Sequence, residues 1–228
     1  MLENKMKEKK NPHTNHRKRL RKRFLNEGID NFEDHNVLEL LLFFSIPRRD
    51  TNEIAHALLD KFGSLSNVFT ASVDQLCTVK GIGESSAALI KMIPQLWKKF
   101  AVENYLSEKN VEDIESSGEY LTKLYIGEES ERCYMLIFNE KGKMTNTVDI
   151  NSGDVSSVYF SPRIIMDIAV KYGASSFILA HNHPTGTTEP SPQDVMLTRR
   201  LHEVFEIMGI PMRAHIIVSG SEYSVVKI

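Results

Sequence analysis

The segment that most constrains this chain is His181-Asn182-His183, followed eleven residues later by Asp194. It extends the apolar run Ser176-Phe177-Ile178-Leu179-Ala180, which predicts a buried strand. Side chains alternate along a strand, so His181 and His183 point to one side and Asn182 to the other. Pro184-Thr185-Gly186-Thr187-Thr188-Glu189-Pro190 has the composition of a loop that lets the chain fold back. Ser191-Pro192-Gln193-Asp194 then predicts a helix start: serine as N-cap, proline at the first helical position, and an acid near the positive end of the dipole. Strand, loop and helix in that order bring two imidazoles and a carboxylate to one point. Three protein ligands with a fourth position open are the catalytic zinc pattern, not the closed structural one. The expectation is therefore one Zn2+ per chain on His181, His183 and Asp194. Simple helix capping by Ser191 and Asp194 is compatible with that role, because a capped helix start is a rigid mount for a ligand.

The surrounding pattern alternates strands and helices. A helix is predicted over Gly118–Leu124, strands over Cys133–Phe138 and Met144–Ile150, and a turn at Asn139-Glu140-Lys141-Gly142 between them. Pro162 opens a helix to Tyr172. A helix over Pro192–Met208 follows the histidine strand, then strands over Met212–Val218 and Tyr223–Lys227. Such interleaving predicts an α/β domain, a mixed sheet flanked by helices. Just before its first strand stands an acidic loop, Gly127-Glu128-Glu129-Ser130-Glu131, which on residue type alone is solvated surface charge. His215 lies in the apolar run Ile210–Val218 as a core residue or a support for the ligands. His202, beside Arg199, Arg200 and Glu203, reads as exposed, and the remaining histidines fit no ligand spacing.

Residues 14–104 are helical in pattern. The apolar helix Asn36–Phe44 ends before Pro47, a second spans Asn52–Phe62 with Gly63 stopping it, and Ser72 caps Val73–Thr78. Val79-Lys80-Gly81-Ile82-Gly83 then leads into a helix over Glu84–Phe100, with Pro94 as a kink. This hairpin resembles a helix-hairpin-helix motif, in which Lys80 and the amides of Gly81, Ile82 and Gly83 would hold a DNA phosphate. The competing reading is a tight turn between packed helices that contacts protein or nothing. The charged stretch 105–117 reads as a linker, which divides the chain into a basic tail (1–13), a helical domain (14–104) and a metal domain (118–228).

Charge is uneven. Residues 1–23 hold ten Lys/Arg against two Glu, a surplus of eight that leaves the rest at −10 within a net −2. Arg17-Lys18-Arg19-Leu20-Arg21-Lys22-Arg23 predicts a basic helix suited to phosphates, or else a solvated face. No apolar stretch approaches the roughly 20 residues of a membrane span. The start lacks an apolar signal core. Cys77 and Cys133 sit far apart in apolar surroundings, as buried thiols of a reducing compartment do. The expected location is cytoplasmic, with no membrane partner.

The string His181-x-His183-x7-Ser191-x2-Asp194 resembles the JAMM signature of MPN/JAB-type zinc metallopeptidases. His181-Asn182-His183-Pro184-Thr185-Gly186 and Pro190-Ser191-x-x-Asp194-x-x-x-Thr198-x-x-Leu201 are similar to the bacterial RadC family in particular. The resemblance covers nearly the whole chain after about residue 14. It implies a cytidine-deaminase-like fold behind a helix-hairpin-helix domain. It also implies a peptidase or isopeptidase activity on a peptide or protein substrate that the motif does not name. Glu131 is then the implied general base, with Glu129 and Glu128 as rivals, and Ser191 the donor to the oxyanion. Where the family commonly carries Asp-His, this chain has Ala214-His215, which puts any hydrogen bond from residue 214 in doubt. The alternative is a DNA-associated binding protein whose metal site is structural or vestigial.

Overall fold

The computed structural model describes residues 12–150, 161–184 and 186–227, with backbone alone for 12–15. The expected basic tail lies outside the described residues up to residue 11, as does Thr185 of the expected loop. The chain divides into two compact units, Met1–Ile93 and Pro94–Ile228.

The first unit is helical: α1 (Pro12–Glu27), α2 (Asp34–Leu42), α3 (Asn52–Phe62), α4 (Leu65–Thr70), α5 (Val73–Cys77) and the start of α6 (Glu84–Glu108). Its core gathers Leu38, Leu42, Leu58, Val68, Leu76 and Ile90, one apolar stripe from each of five helices. Helix α4 is not anticipated by sequence pattern. It is a turn and a half, started by Ser64 accepting from the Asn67 amide at 3.1 Å and held by burial of Val68. The basic run does form helix, but several of its cations are engaged. The Arg17 guanidinium donates to the Ile46 and Pro47 carbonyls at 2.6 and 2.9 Å and lies 4.6 Å over the Phe43 ring. Arg23 lies 4.6 Å over Phe32. Lys18, Arg19 and Lys22 are exposed.

The second unit is a five-stranded mixed sheet in the order β2-β1-β3-β4-β5, built from β1 (Cys133–Phe138), β2 (Met144–Asp149), β3 (Ser176–Asn182), β4 (Met212–Ser219) and β5 (Glu222–Val225). The only parallel pair among the described strands is β3 with β4. Helices α8 (Pro162–Lys171) and α9 (Pro192–Ile207) pack one face through Ile165, Ala169, Leu201 and Phe205, against Cys133, Met135, Phe177 and Leu179. Helix α7 (Ile114–Leu124) packs the other through Tyr120 and Leu121, against Leu136, Phe138, Ile178 and Ile216. With helices on both sides, β1 and all of β3 except its first residue are buried, which is why both read as continuous apolar runs.

The stretch expected as a linker is helical at both ends. Helix α6 continues to Glu108, and α7 begins at Ile114 behind a capping box of Asp113 and Ser116. Tyr105 and Val111 are core residues of the second unit. Charge on the exposed positions masks these two anchors in sequence. No described helix is long and apolar enough to cross a membrane.

Candidate metal centre

The histidines occupy the carboxyl end of β3 and the first residue beyond it, on the face covered by α8 and α9. Asp194 enters from the first turn of α9. Ser191 is the N-cap: its Oγ accepts from the Asp194 amide at 3.2 Å, and Asp194 Oδ2 accepts from the Ser191 amide at 2.8 Å. The Ser191 hydroxyl also donates to Oδ2 at 2.6 Å. With Oδ2 so engaged, Oδ1 faces His181 Nε2 at 3.3 Å. His183 Nε2 lies 3.1 Å from His181 Nε2 and 3.9 Å from Oδ2. Among the described residues this is the one group of three such side chains with ligand atoms within 4.8 Å of one another. Ligands about 2.0–2.1 Å from a tetrahedral ion stand about 3.3–3.4 Å apart. The two edges at His181, 3.1 and 3.3 Å, are close to that spacing, and the His183–Asp194 edge is wider at 3.9 Å, so the trio could hold an ion of zinc's size.

The protonation states also fit. His183 Nδ1 lies 2.8 Å from the Thr187 carbonyl, which can only accept, so the ring carries hydrogen on Nδ1, and of its two neutral tautomers this is the one that leaves Nε2 free for a metal. Burial holds the His181 pKa down to about 4, against the opposing pull of Asp194, so the ring is neutral at pH 7. Burial pushes the Asp194 carboxyl up, but the Ser191 hydrogen bonds and the electrostatic interaction with the His181 ring outweigh it and leave the group below the usual carboxylate range. A carboxylate beside imidazole nitrogens is a donor set that divalent transition metals take.

Behind His181 lies a support that sequence only half discloses. His181 Nδ1 is 2.9 Å from His215 Nε2, and His215 Nδ1 is 2.7 Å from Thr198 Oγ1. Burial lowers the His215 pKa to about 3. Ala214 belongs to the core on the opposite face of the sheet, so residue 214 has no part in the face that carries the histidines. His202, expected on the surface, is half-buried, with a buried Nδ1 that has no hydrogen-bond partner.

Glu131 is placed by strand register. Cys133 pairs with His181, and the ladder runs on as the Asn182 amide donates to the Arg132 carbonyl at 3.3 Å. Continuing that count sets Glu131 opposite His183, on the histidines' face of the sheet. The backbone there is clamped: Asn182 Oδ1 accepts from the Arg132 amide at 2.7 Å, and Asn182 Nδ2 donates to the Ser130 carbonyl at 3.1 Å. The alternation that turns Asn182 away from His181 and His183 thus gives it a second task. Glu131 and Glu129 are exposed, whereas Glu128 is tied to Lys98 at 2.5 Å and Arg132 at 2.8 Å.

In the helical unit Lys80 is exposed, and Ile82 is a core residue that anchors the α5–α6 turn. Gly81 adopts φ 103°, and a Cβ there would lie 2.7 Å from Ile54 Cδ1. The turn requires glycine for the fold itself.

Residues 111–227 match the family described as RadC-like JAB domain, and residues 12–88 match the one described as UPF0758 N-terminal. A UPF0758 protein from Fusobacterium nucleatum is 38% identical over 218 residues, covering 91% of this chain and 93% of that protein. One from Ruegeria pomeroyi is 32% identical over 206 residues, covering 90% and 92%. A third, from Rhodobacter capsulatus, is 30% identical over 206 residues, covering 90% and 96%.

Proposed function

This chain belongs to the RadC-like JAB family, and from that premise we propose that it is a zinc-dependent hydrolase of peptide or isopeptide bonds. The observation that carries the proposal is the meeting of three ligand atoms, with edges of 3.1 and 3.3 Å at His181, and with His183 held by the Thr187 carbonyl so that its Nε2 faces the other two. His181, His183 and Asp194 would hold the ion. Zinc in such a setting supplies Lewis acidity, bringing the ionisation of water to about pH 7 and polarising a carbonyl. Glu131 would take a proton from the attacking water and return it to the leaving amine nitrogen as the C–N bond breaks. Ser191, whose hydroxyl rests on Asp194 Oδ2, would turn it to the oxyanion of the tetrahedral intermediate.

The helical unit would contact nucleic acid. Support comes from exposed Lys80 at the α5–α6 turn and exposed Lys18, Arg19 and Lys22 on α1. Such a contact would bring the hydrolase to DNA-bound protein.

The experiment is zinc titration against a chromophoric chelator, paired with cleavage of a peptide library. Wild type should bind one equivalent and cleave, and chelation should stop the cleavage. His181→Ala should bind no zinc tightly, since two ligands seldom retain it. A full equivalent in His181→Ala would overturn the ligand set. A zinc-loaded wild type that cleaves nothing in the library while binding DNA would favour the non-enzymatic reading.

A further inference from the structure

We propose that Thr198 is a positioning residue that, acting through His215, sets which nitrogen of His181 carries hydrogen. This rests on the reading of His181 as a metal ligand. A histidine can bind a metal through Nε2 only if its proton sits on Nδ1. For His183 a backbone carbonyl enforces that form. His181 has no carbonyl at Nδ1. It has another imidazole, whose Nε2 at 2.9 Å could either give or take a hydrogen. By itself the histidine pair is therefore undirected.

The direction is imposed at the far end. Thr198 Oγ1 lies 2.5 Å from the Asp194 carbonyl oxygen, the i−4 contact of a helical threonine. Two oxygens that close need a hydrogen between them, and the carbonyl has none, so the threonine hydroxyl donates there. Its one proton is spent, and toward His215 Nδ1, at 2.7 Å, it can only accept. His215 therefore carries hydrogen on Nδ1 and presents a bare Nε2. His181 must then donate from its own Nδ1, leaving its Nε2 lone pair toward His183 and Asp194. The reverse order would set two acceptor oxygens face to face at 2.5 Å. Thr198 and His215 are each 1% exposed and His181 3%, so solvent has little access to reset the chain. The path also closes on itself: the Asp194 backbone orients the chain that presents His181 to the Asp194 carboxylate.

Nitrogen-15 NMR of the labelled, metal-free protein at neutral pH reads ring tautomers without zinc or substrate. His181 and His215 should both show hydrogen on Nδ1. A wild-type His181 with hydrogen on Nε2 would overturn the proposal. Zinc affinity by chelator competition supplies the second measurement. Thr198→Val keeps the methyl and removes the acceptor. It should weaken zinc about 10–100-fold, the range seen when a ligand's supporting contact is lost. Thr198→Ser keeps the hydroxyl and should stay near wild type. Wild-type affinity in Thr198→Val would overturn the proposal. Equal losses in both variants would do so too, since packing and not proton placement would then explain them. A wild type that shows Nδ1–H on both rings but binds no zinc would leave the relay standing and defeat the metal reading alone.

Discussion

At the scale of single residues, the proposed function would separate holding a metal from moving a proton. His181, His183 and Asp194 bring their ligand atoms within 4.8 Å of one another, while strand register sets Glu131 opposite His183 and outside that group. Glu131→Gln keeps the size of the side chain and loses the carboxylate's ability to take a proton. Zinc content should be unchanged and turnover should fall by about 10²-fold or more. Elemental analysis beside an activity assay checks both halves: wild-type turnover would move the role to Glu129, and lost zinc would make Glu131 a ligand. Ser191→Ala removes both the hydroxyl on Asp194 Oδ2 and the N-cap of α9. About 1 kcal/mol of stability should go with the cap, readable as a shift in the urea midpoint. Acid should also weaken the fold. His181 and His215 have folded pKa values of about 4 and 3 against an ordinary 6.5. Between those limits the unfolded chain binds more protons than the folded one. Stability is therefore full above about pH 6.5 and drains away as pH falls toward 4 and below. Urea midpoints of the metal-free protein at neutral pH and at about pH 5 should differ in that direction. Equal midpoints would mean the rings are not held neutral by burial.

At the scale of elements, the strand, loop and helix around the ligands were legible because their signals are local. The apolar run over residues 176–180, and the serine and proline at the start of α9, predict the elements, and strand geometry gives the sides that His181, Asn182 and His183 take. Three element-level features were not legible. Helix α4 is too short for a periodic pattern. The run 105–117 shows its charges and hides Tyr105 and Val111. The clamp of Asn182 on Ser130 and Arg132 needs strand pairing to be seen. Packing of α7 on the sheet yields a sharp test. A Cβ on Gly118 would lie 2.3 Å from the Tyr223 ring. Gly118→Ala must displace that ring from β5 and should destabilise the second unit by about 1–3 kcal/mol, as overpacking does. Chemical denaturation measures it, and an unchanged midpoint would show that the ring gives way freely.

At the scale of the whole molecule, two units carry two kinds of surface: a candidate metal centre on the α8–α9 face of the sheet, and exposed cations in the helical unit. If those cations meet DNA, binding by the full chain should be independent of sequence. It should weaken on the order of 10-fold or more between about 50 and 200 mM salt, because each phosphate contact releases counterions. Replacing Lys18, Arg19 and Lys22 together by alanine should flatten that dependence, since all three are exposed. Arg17 should not be used for this purpose, because its guanidinium holds the Ile46 and Pro47 carbonyls and its loss would loosen the unit. Fluorescence anisotropy with a labelled duplex is the measurement. A full chain that stays unbound at low salt would leave the α5–α6 turn as a packing device.

Sequence by itself determined the residue types of the candidate site, the strand–loop–helix frame that presents them, and the α/β class. All of these follow from spacing and periodicity over fewer than about 20 neighbouring residues. Tertiary structure alone decided which atoms meet. The pairing of Leu179 with His215 across a parallel ladder brings a second imidazole behind His181, and packing of α9 brings Thr198 behind that. Those residues are 17 and 34 positions apart in the chain. Their contact depends on how the sheet and helix pack together, a relation that no local pattern of residue types records.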